Sequence, residues 1–148
     1  MKQIVTCLIV MVLSLGIVQA QEGLNDDKPF ADTHIIMHVS DADPVHYQAV
    51  LDISNNLTEG YGQEMIDIEI IAFGAGVPLL LAKENKFSKR IASLQEHGVR
   101  FYICGNTLDT MERKSGERPS IVRGVEVVQI GVKFLIDEIK RGYIDIHP

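Results

Sequence analysis

The stretch Gly98-Val99-Arg100-Phe101-Tyr102-Ile103-Cys104-Gly105-Asn106-Thr107-Leu108 decides how this chain is read. Val99–Ile103 is a short, aromatic and β-branched run that opens at a glycine, which marks a strand. Cys104-Gly105-Asn106-Thr107 ends it, and Asn106 or Thr107 is suited to cap a following helix. A strand that hands over directly to a helix is half of a β-α-β unit, and the same alternation recurs on both sides.

Upstream, Thr33–Val39 (THIIMHV) reads as the first strand. Asp43-Pro44 supplies an N-cap with proline at the first helical position. Ala49, Val50, Ile53 and Leu57 then repeat at helical spacing until Gly60 or Gly62. Met65–Phe73 (MIDIEIIAF) is the second strand and ends at Gly74-Ala75-Gly76. Val77–Ala82 predicts a short apolar helix with Pro78 in its first turn, and Phe87–His97 a helix burying Ile91 and Leu94. Downstream, residues 109–120 are charged, contain Gly116 and Pro119, and suggest a mobile segment. Val125–Ile130 is a fourth strand, and Tyr143–Ile146 a fifth. Between them Val132, Leu135, Ile136 and Ile139 mark a helix closed by Gly142. Strands alternating with helices imply an α/β fold, a three-layer α/β/α sandwich with a five-stranded parallel sheet and right-handed crossovers. One such domain is expected over residues 33–148, with no internal repeat.

The N-terminus has a different logic. Lys2 precedes the apolar run Ile4–Ile17, which leads into Val18-Gln19-Ala20 and polar Gln21-Glu22-Gly23. That order is the one found in secretory signal peptides, and the run is short for a membrane span of ~20 residues. The expectation is a signal peptide at 1–20, a flexible lead-in at 21–32, and a periplasmic or secreted product with no stable membrane association after cleavage. Cleavage removes Cys7 and leaves Cys104 as the one cysteine. A lone thiol in an oxidising compartment is inert by burial, paired to another chain, or free and used.

The 148 residues carry 14 Lys plus Arg against 20 Asp plus Glu, a formal charge of −6, which argues against a nucleic-acid surface or a polybasic membrane patch. The one cysteine left after the expected cleavage, Cys104, excludes a dithiol oxidoreductase of the Cys-x-x-Cys kind. Leu79 stands where a dinucleotide fingerprint starting at Gly74 needs its third glycine, so that motif fails and the Gly74-Ala75-Gly76 turn reads as a close backbone approach. Asn56-Leu57-Thr58 is a formal glycosylation sequon inside a predicted helix. No local signature supports a cysteine hydrolase assembled from His38, Asp41 and Cys104.

Parallel sheets bind ligands beyond the carboxyl ends of their strands. That rim collects His38, Ser40 and Asp41, then Gly74, Ala75 and Gly76, then Cys104, Gly105, Asn106 and Thr107, and finally Gln129 to Gly131. The candidate reactive group is Cys104. The candidate ligand-binding residues are His38, Asp41, Gly74, Gly76, Gly105, Asn106 and Thr107. A helix N-terminus contributes about 0.3–1 kcal/mol to an anion, and one pKa unit is about 1.36 kcal/mol, so a capping helix alone moves the thiol by less than a unit. Stronger activation calls for a cation, with His38, Arg113, Arg118 and Arg123 as candidates. His34 and His38 share one face of a strand but stand roughly 13 Å apart at ~3.3 Å per residue, too far for one metal ion. His46 is expected on a solvated helix face and His147 in the tail. No cofactor and no metal set is expected.

Several segments together resemble the DsrE/DsrF-like (YchN-like) family of small sulfur-relay proteins. They are His38-Val39-Ser40-Asp41 with its proline-led helix, Ile70–Gly76, Gly98–Leu108 and Gly124–Val128. The resemblance implies a five-stranded parallel α/β/α fold and homo-oligomers, trimers or hexamers. It also implies, for the sulfur-trafficking members, a cysteine that accepts persulfide sulfur, at the position Cys104 occupies. The best-understood relay members are cytoplasmic, whereas this chain carries an export signal. Three readings follow: an exported sulfur carrier or sulfurtransferase working with a sulfur-donor or acceptor protein, a non-enzymatic module binding a small ligand or metal, and a structural oligomer whose cysteine is packed.

Overall fold

The computed structural model describes residues 25–148. The expected signal peptide and residues 21–24 lie outside them. Five strands form a single parallel sheet: β1 (Thr33–Val39), β2 (Ile66–Ala72), β3 (Arg100–Cys104), β4 (Glu126–Val128) and β5 (Ile144–Ile146), in the spatial order β4-β3-β2-β1-β5. The helices are α1 (Pro44–Tyr61), α2 (Ser88–Glu96), α3 (Gly105–Ser115) and α4 (Gly131–Arg141).

The two faces of the sheet differ. Ile35, Met37 and Val39 of β1, Ile66, Ile68 and Ile70 of β2, and Phe101 and Ile103 of β3 form one face. Val50 and Leu51 of α1, Ile91 and Leu94 of α2, and Leu108 of α3 pack on it. Each fully buried large aliphatic side chain in that layer contributes roughly 1.5–3 kcal/mol. Ile36, Ile71 and Tyr102 point to the other face, which α4 covers with Phe134 and Leu135. β2 is buried along its whole length, as a central parallel strand is.

Handedness explains the asymmetry. The steps β1 to β2, β2 to β3 and β3 to β4 all move the same way across the sheet, so right-handed crossovers put their helices on one face. The step β4 to β5 runs back past the other strands, and the same handedness sends α4 to the opposite face.

Local chemistry fixes the ends. The Asp43 carboxylate accepts the Val45 N–H at 2.8 Å, and Pro44 follows at the first helical position; such a cap contributes about 1 kcal/mol. A Cβ on Gly76 would lie 2.1 Å from the Val39 carbonyl oxygen, so only glycine lets the chain after β2 pass this close to β1. The apolar stretch expected at Val77–Ala82 is a 3-10 helix over Gly74–Leu80, after which Leu81 makes an antiparallel bridge with Ile121.

Two expectations change. The segment 109–120 is half helix, because α3 continues through Ser115 and stops at Gly116 in the left-handed conformation. The rest is tied back by Arg118 to Asp109 and Glu112. The described part of the lead-in is fastened rather than loose. Lys28 Nζ donates to the carbonyls of Gln63 and Ile66, at 2.7 and 2.9 Å, where β2 begins. No helix among the described residues is long and apolar enough to cross a membrane.

Candidate functional site

β3 and β4 are neighbours, yet α3 leaves to one face and α4 to the other. This is the one place among the described strands where adjacent strand ends send their helices apart, the crevice in which open parallel sheets bind ligands. Cys104 is the last residue of β3 and the N-cap of α3. It pairs in register with Val128 of β4. Its side chain follows the parity of Arg100 and Tyr102 and faces α4.

The amide of Gly131, the first residue of α4, donates to Cys104 Sγ at 3.4 Å. A Cβ on Gly131 would come within 3.0 Å of the Cys104 Cβ and 3.1 Å of the Phe73 Cβ, so glycine is what admits α4 this close. Thr107 Oγ1 accepts the Gly74 N–H at 3.1 Å, which leaves its hydroxyl proton for the sulfur. The neutral thiol in turn donates to the Gln129 carbonyl at 3.8 Å. That carbonyl also accepts the Asn106 N–H at 3.0 Å. Gln129 Nε2 donates to Asn106 Oδ1 at 2.8 Å and Asp109 Oδ2 at 2.9 Å. These bonds clamp the β4–α4 turn onto α3 and hold both helix starts around one sulfur.

Cys104 is 6% exposed, so the sulfur is recessed at the floor of the crevice rather than standing on its lip. Burial pushes its pKa up. The Thr107 hydroxyl, the Gly131 amide, and the amides of Thr107 and Asn106 together outweigh burial and hold the thiol below its ordinary range. No charged group figures among these dominant influences. The four expected cations are engaged elsewhere. His38 Nδ1 lies 3.1 Å from Asp145 Oδ1. Arg118 binds Asp109 and Glu112. Arg113 donates to Thr110 Oγ1. Arg123 lines a 580 Å³ cavity with Val99 and Arg100, at the start of β3. The cation expected from sequence is replaced by two helix N-termini and a hydroxyl.

Of the candidate residues, the fold gathers Cys104, Gly74, Gly105, Asn106 and Thr107, and adds Gly131. Gly105 lies against Gln129, where a Cβ would be 3.0 Å from Oε1. Gly76 backs onto Val39 rather than lining the crevice. His38 and Asp41 belong to a second group on the β1 side. Asp41 Oδ2 is 2.6 Å from His46 Nδ1, and it also accepts the Asp43 N–H through Oδ1. The His38 ring stacks on His147 at 4.5 Å and on Phe73 at 5.9 Å. His46 is therefore not on a solvated helix face; its side chain is 9% exposed and meets His147 edge-on. His147 packs against the body of the fold because β5 places it beside His38.

A buried polar network beneath α4 was not foreseen. Arg100 Nη2 reaches Asp67 at 2.7 Å, Glu69 at 2.8 Å and Tyr143 Oη at 2.9 Å. Burial pushes the Glu69 carboxyl up to about 8 despite Arg100, with Glu138 and Asp67 adding to the rise, so it is a neutral acid at pH 7. Asp67 and Glu69 alternate within MIDIEIIAF, on the face shared by Arg100 and Tyr102, and that parity was the available signal.

Comparison with known proteins agrees with this architecture. The model of the DsrE/DsrF-like family matches residues 33–148. Among solved structures, the chain is similar to MTH1491 of Methanobacterium thermoautotrophicum, described as a protein of unknown function, with a TM-score of 0.70 and 26% identity over 79% of this chain and 100% of that one. It is also similar in fold to the ychN protein of E. coli, with a TM-score of 0.54 and 13% identity over 78% of this chain and 99% of that one. No curated protein matches the chain.

Proposed function

This chain belongs to the DsrE/DsrF-like family, and from that membership and the surroundings of Cys104 we propose that it is an exported sulfur carrier or sulfurtransferase. Cys104 is the acceptor. The observation that carries the reading is the Gly131 N–H and the Thr107 hydroxyl on one sulfur, which favour thiolate without a neighbouring cation. In the first step the Cys104 thiolate attacks the outer sulfur of a sulfane donor R–S–SH. A new S–S bond forms on Cys104, the donor's S–S bond breaks, and R–S⁻ leaves with the electron pair. The proton stays on the transferred sulfur. An acceptor thiolate then attacks that outer sulfur and releases Cys104 as thiolate. Neither step needs an oxidant.

Recess is compatible with this chemistry. A bound sulfur stands about 2.05 Å beyond Sγ, which carries the reacting atom outward from a residue that is itself 6% exposed. The flanking amides then steady negative charge on either species.

Exported location is part of the proposal, resting on the N-terminal apolar run and its small-residue end. So is a homo-oligomer, a trimer or hexamer. Val132, Ile136 and Ile139 repeat at helical spacing on α4 and remain exposed, as does Ile130 just before it. Such a stripe is what like chains would cover.

The test is mass spectrometry of the purified protein after incubation with polysulfide or another sulfane donor. Cys104 is expected to gain about 32 Da, reversibly with thiol. If a panel of donors leaves the folded chain unmodified, and Cys104 alkylates only after unfolding, the cysteine is a packed strand-end residue and the proposal fails.

A further inference from the structure

The geometry points to a binding site for one divalent transition-metal ion of the zinc type, held by His38, His46 and His147 on the β1–β5 side of the rim. It is independent of Cys104. His38 lies at the end of β1, His46 in the first turn of α1, and His147 directly after β5. Sheet order places β5 beside β1, so three segments distant in sequence bring the His38 and His46 rings each against that of His147.

Two of these rings are already oriented as metal ligands are. His38 Nδ1 is 3.1 Å from Asp145 Oδ1, and His46 Nδ1 is 2.6 Å from Asp41 Oδ2. A carboxylate on Nδ1 fixes the tautomer and turns Nε2 outward as the ligating atom, which is the usual outer shell of a metal-bound histidine. His46 Nε2 is buried and has no hydrogen-bond partner, on a side chain only 9% exposed. A buried nitrogen without a partner is costly, and an ion would satisfy it.

The spacing agrees. A zinc–nitrogen bond of about 2.0–2.1 Å puts each ring centroid about 3.2 Å from the ion, so two rings sharing a tetrahedral ion lie about 5 Å apart. The centroids here are 4.5 Å apart for His38 and His147 and 5.2 Å for His46 and His147. Asp41 and Asp145 bring two negative charges to the periphery, which matches a dication.

As the rings stand, no group of three or more His, Cys, Asp or Glu side chains among the described residues could hold an ion. The reason is visible: the His147 ring lies flat on His38, 12° from parallel. His147 makes ring contacts but no hydrogen bond among those found. Turning it about its side-chain bonds gives up the stack on His38 and the edge contact with His46 but breaks no hydrogen bond among the described residues. Metal binding exchanges that stacked pair for three nitrogen–metal bonds. Imidazole ligands suit zinc, copper and nickel ions and not calcium or magnesium.

The test titrates Zn²⁺ into the metal-free full chain, followed by calorimetry and by imidazole ¹⁵N shifts. One ion per chain is expected, with shifts at the three imidazoles. His147→Ala should weaken binding by at least about 10-fold, and Asp145→Asn, which removes only the outer-shell carboxylate, by roughly 10–100-fold. Cys104→Ser should bind as the parent does, which separates this site from the sulfur chemistry. Absence of binding at one ion per chain, parent-like affinity in His147→Ala, or loss of binding in Cys104→Ser would each overturn the proposal. His147→Ala removes an edge side chain outside the core, so circular dichroism should show an unchanged fold.

Discussion

Replacing Thr107 with Val tests how the thiol is tuned. Valine keeps the shape of threonine and removes the hydroxyl that stands between the Gly74 amide and the sulfur. A hydrogen bond to a charged acceptor contributes about 1.5–3 kcal/mol. At about 1.36 kcal/mol per factor of ten, the Cys104 pKa should rise and the thiolate fraction below the alkylation midpoint should fall by roughly 10–100-fold. The amides of Gly131, Thr107 and Asn106 remain and still lower the pKa against burial. The assay is the pH dependence of iodoacetamide alkylation at Cys104, read by intact mass. Thr107→Ser keeps the donor and should leave the midpoint near that of the parent. Loss of the Gly74 acceptor destabilises the fold by about 1 kcal/mol, which denaturant unfolding registers separately. If Thr107→Val folds and titrates at the parent midpoint, the hydroxyl does not act on the sulfur, and the account of the site is wrong.

Two further outcomes follow from the packing. Glu69 has a folded-state pKa near 8 against an ordinary 4.5, so between those values the folded chain holds a proton that the unfolded chain has released. Stability should therefore fall as pH rises through that window, with a slope on the order of 1 kcal/mol per pH unit. Glu69→Gln should flatten it, and parallel urea profiles for parent and variant from pH 5 to 8 would contradict the neutral-acid assignment. Gly76→Ala forces a Cβ to 2.1 Å from a backbone oxygen and 2.4 Å from the Val39 carbonyl carbon. It should cost more than about 3 kcal/mol in thermal or urea unfolding; a fully stable variant would contradict the approach of this turn to β1.

The fold was legible because its signals are local. The runs at 33–39 and 65–73, the Asp43-Pro44 cap, and the glycines closing helices each specify an element without knowledge of its neighbours. Their alternation then dictates a parallel sheet, and the family match over 33–148 agrees with it. Errors arose where tertiary contacts overrule composition. Glu112, Arg113 and Lys114 suggest a mobile segment, but Leu108 and Met111 anchor the same helix to the core. Lys28 looks like part of a loose tail, yet its ammonium finds two free carbonyls at the start of β2. Cys104, Asn106 and Thr107 were readable as a strand-to-helix junction. Gly131 was readable only as a residue after a strand, because its role depends on α4 crossing to the other face. The histidine group was illegible for the same reason, since His38, His46 and His147 meet only when β5 pairs with β1.

Topology, more than any charged neighbour, accounts for the state of the sulfur. Helix N-caps are ordinarily Ser, Thr, Asp or Asn, whose oxygen accepts the orphan amides of the first turn. Here that slot holds a cysteine, which makes no side-chain capping hydrogen bond as the neutral thiol, while the Thr107 and Asn106 amides lower its pKa. A single helix start would be too weak, at about 0.3–1 kcal/mol, to offset the burial of a residue only 6% exposed. The reversal between β3 and β4 brings a second start, that of α4, against the same atom, and Gly131 removes the side chain that would hold it off. Thr107 adds a hydroxyl fixed from behind by the Gly74 amide. Because backbone and an uncharged side chain supply these dominant donors, none of them changes protonation between pH 5 and 9. A pH profile of alkylation in that interval therefore reports the sulfur rather than its hydrogen-bond donors.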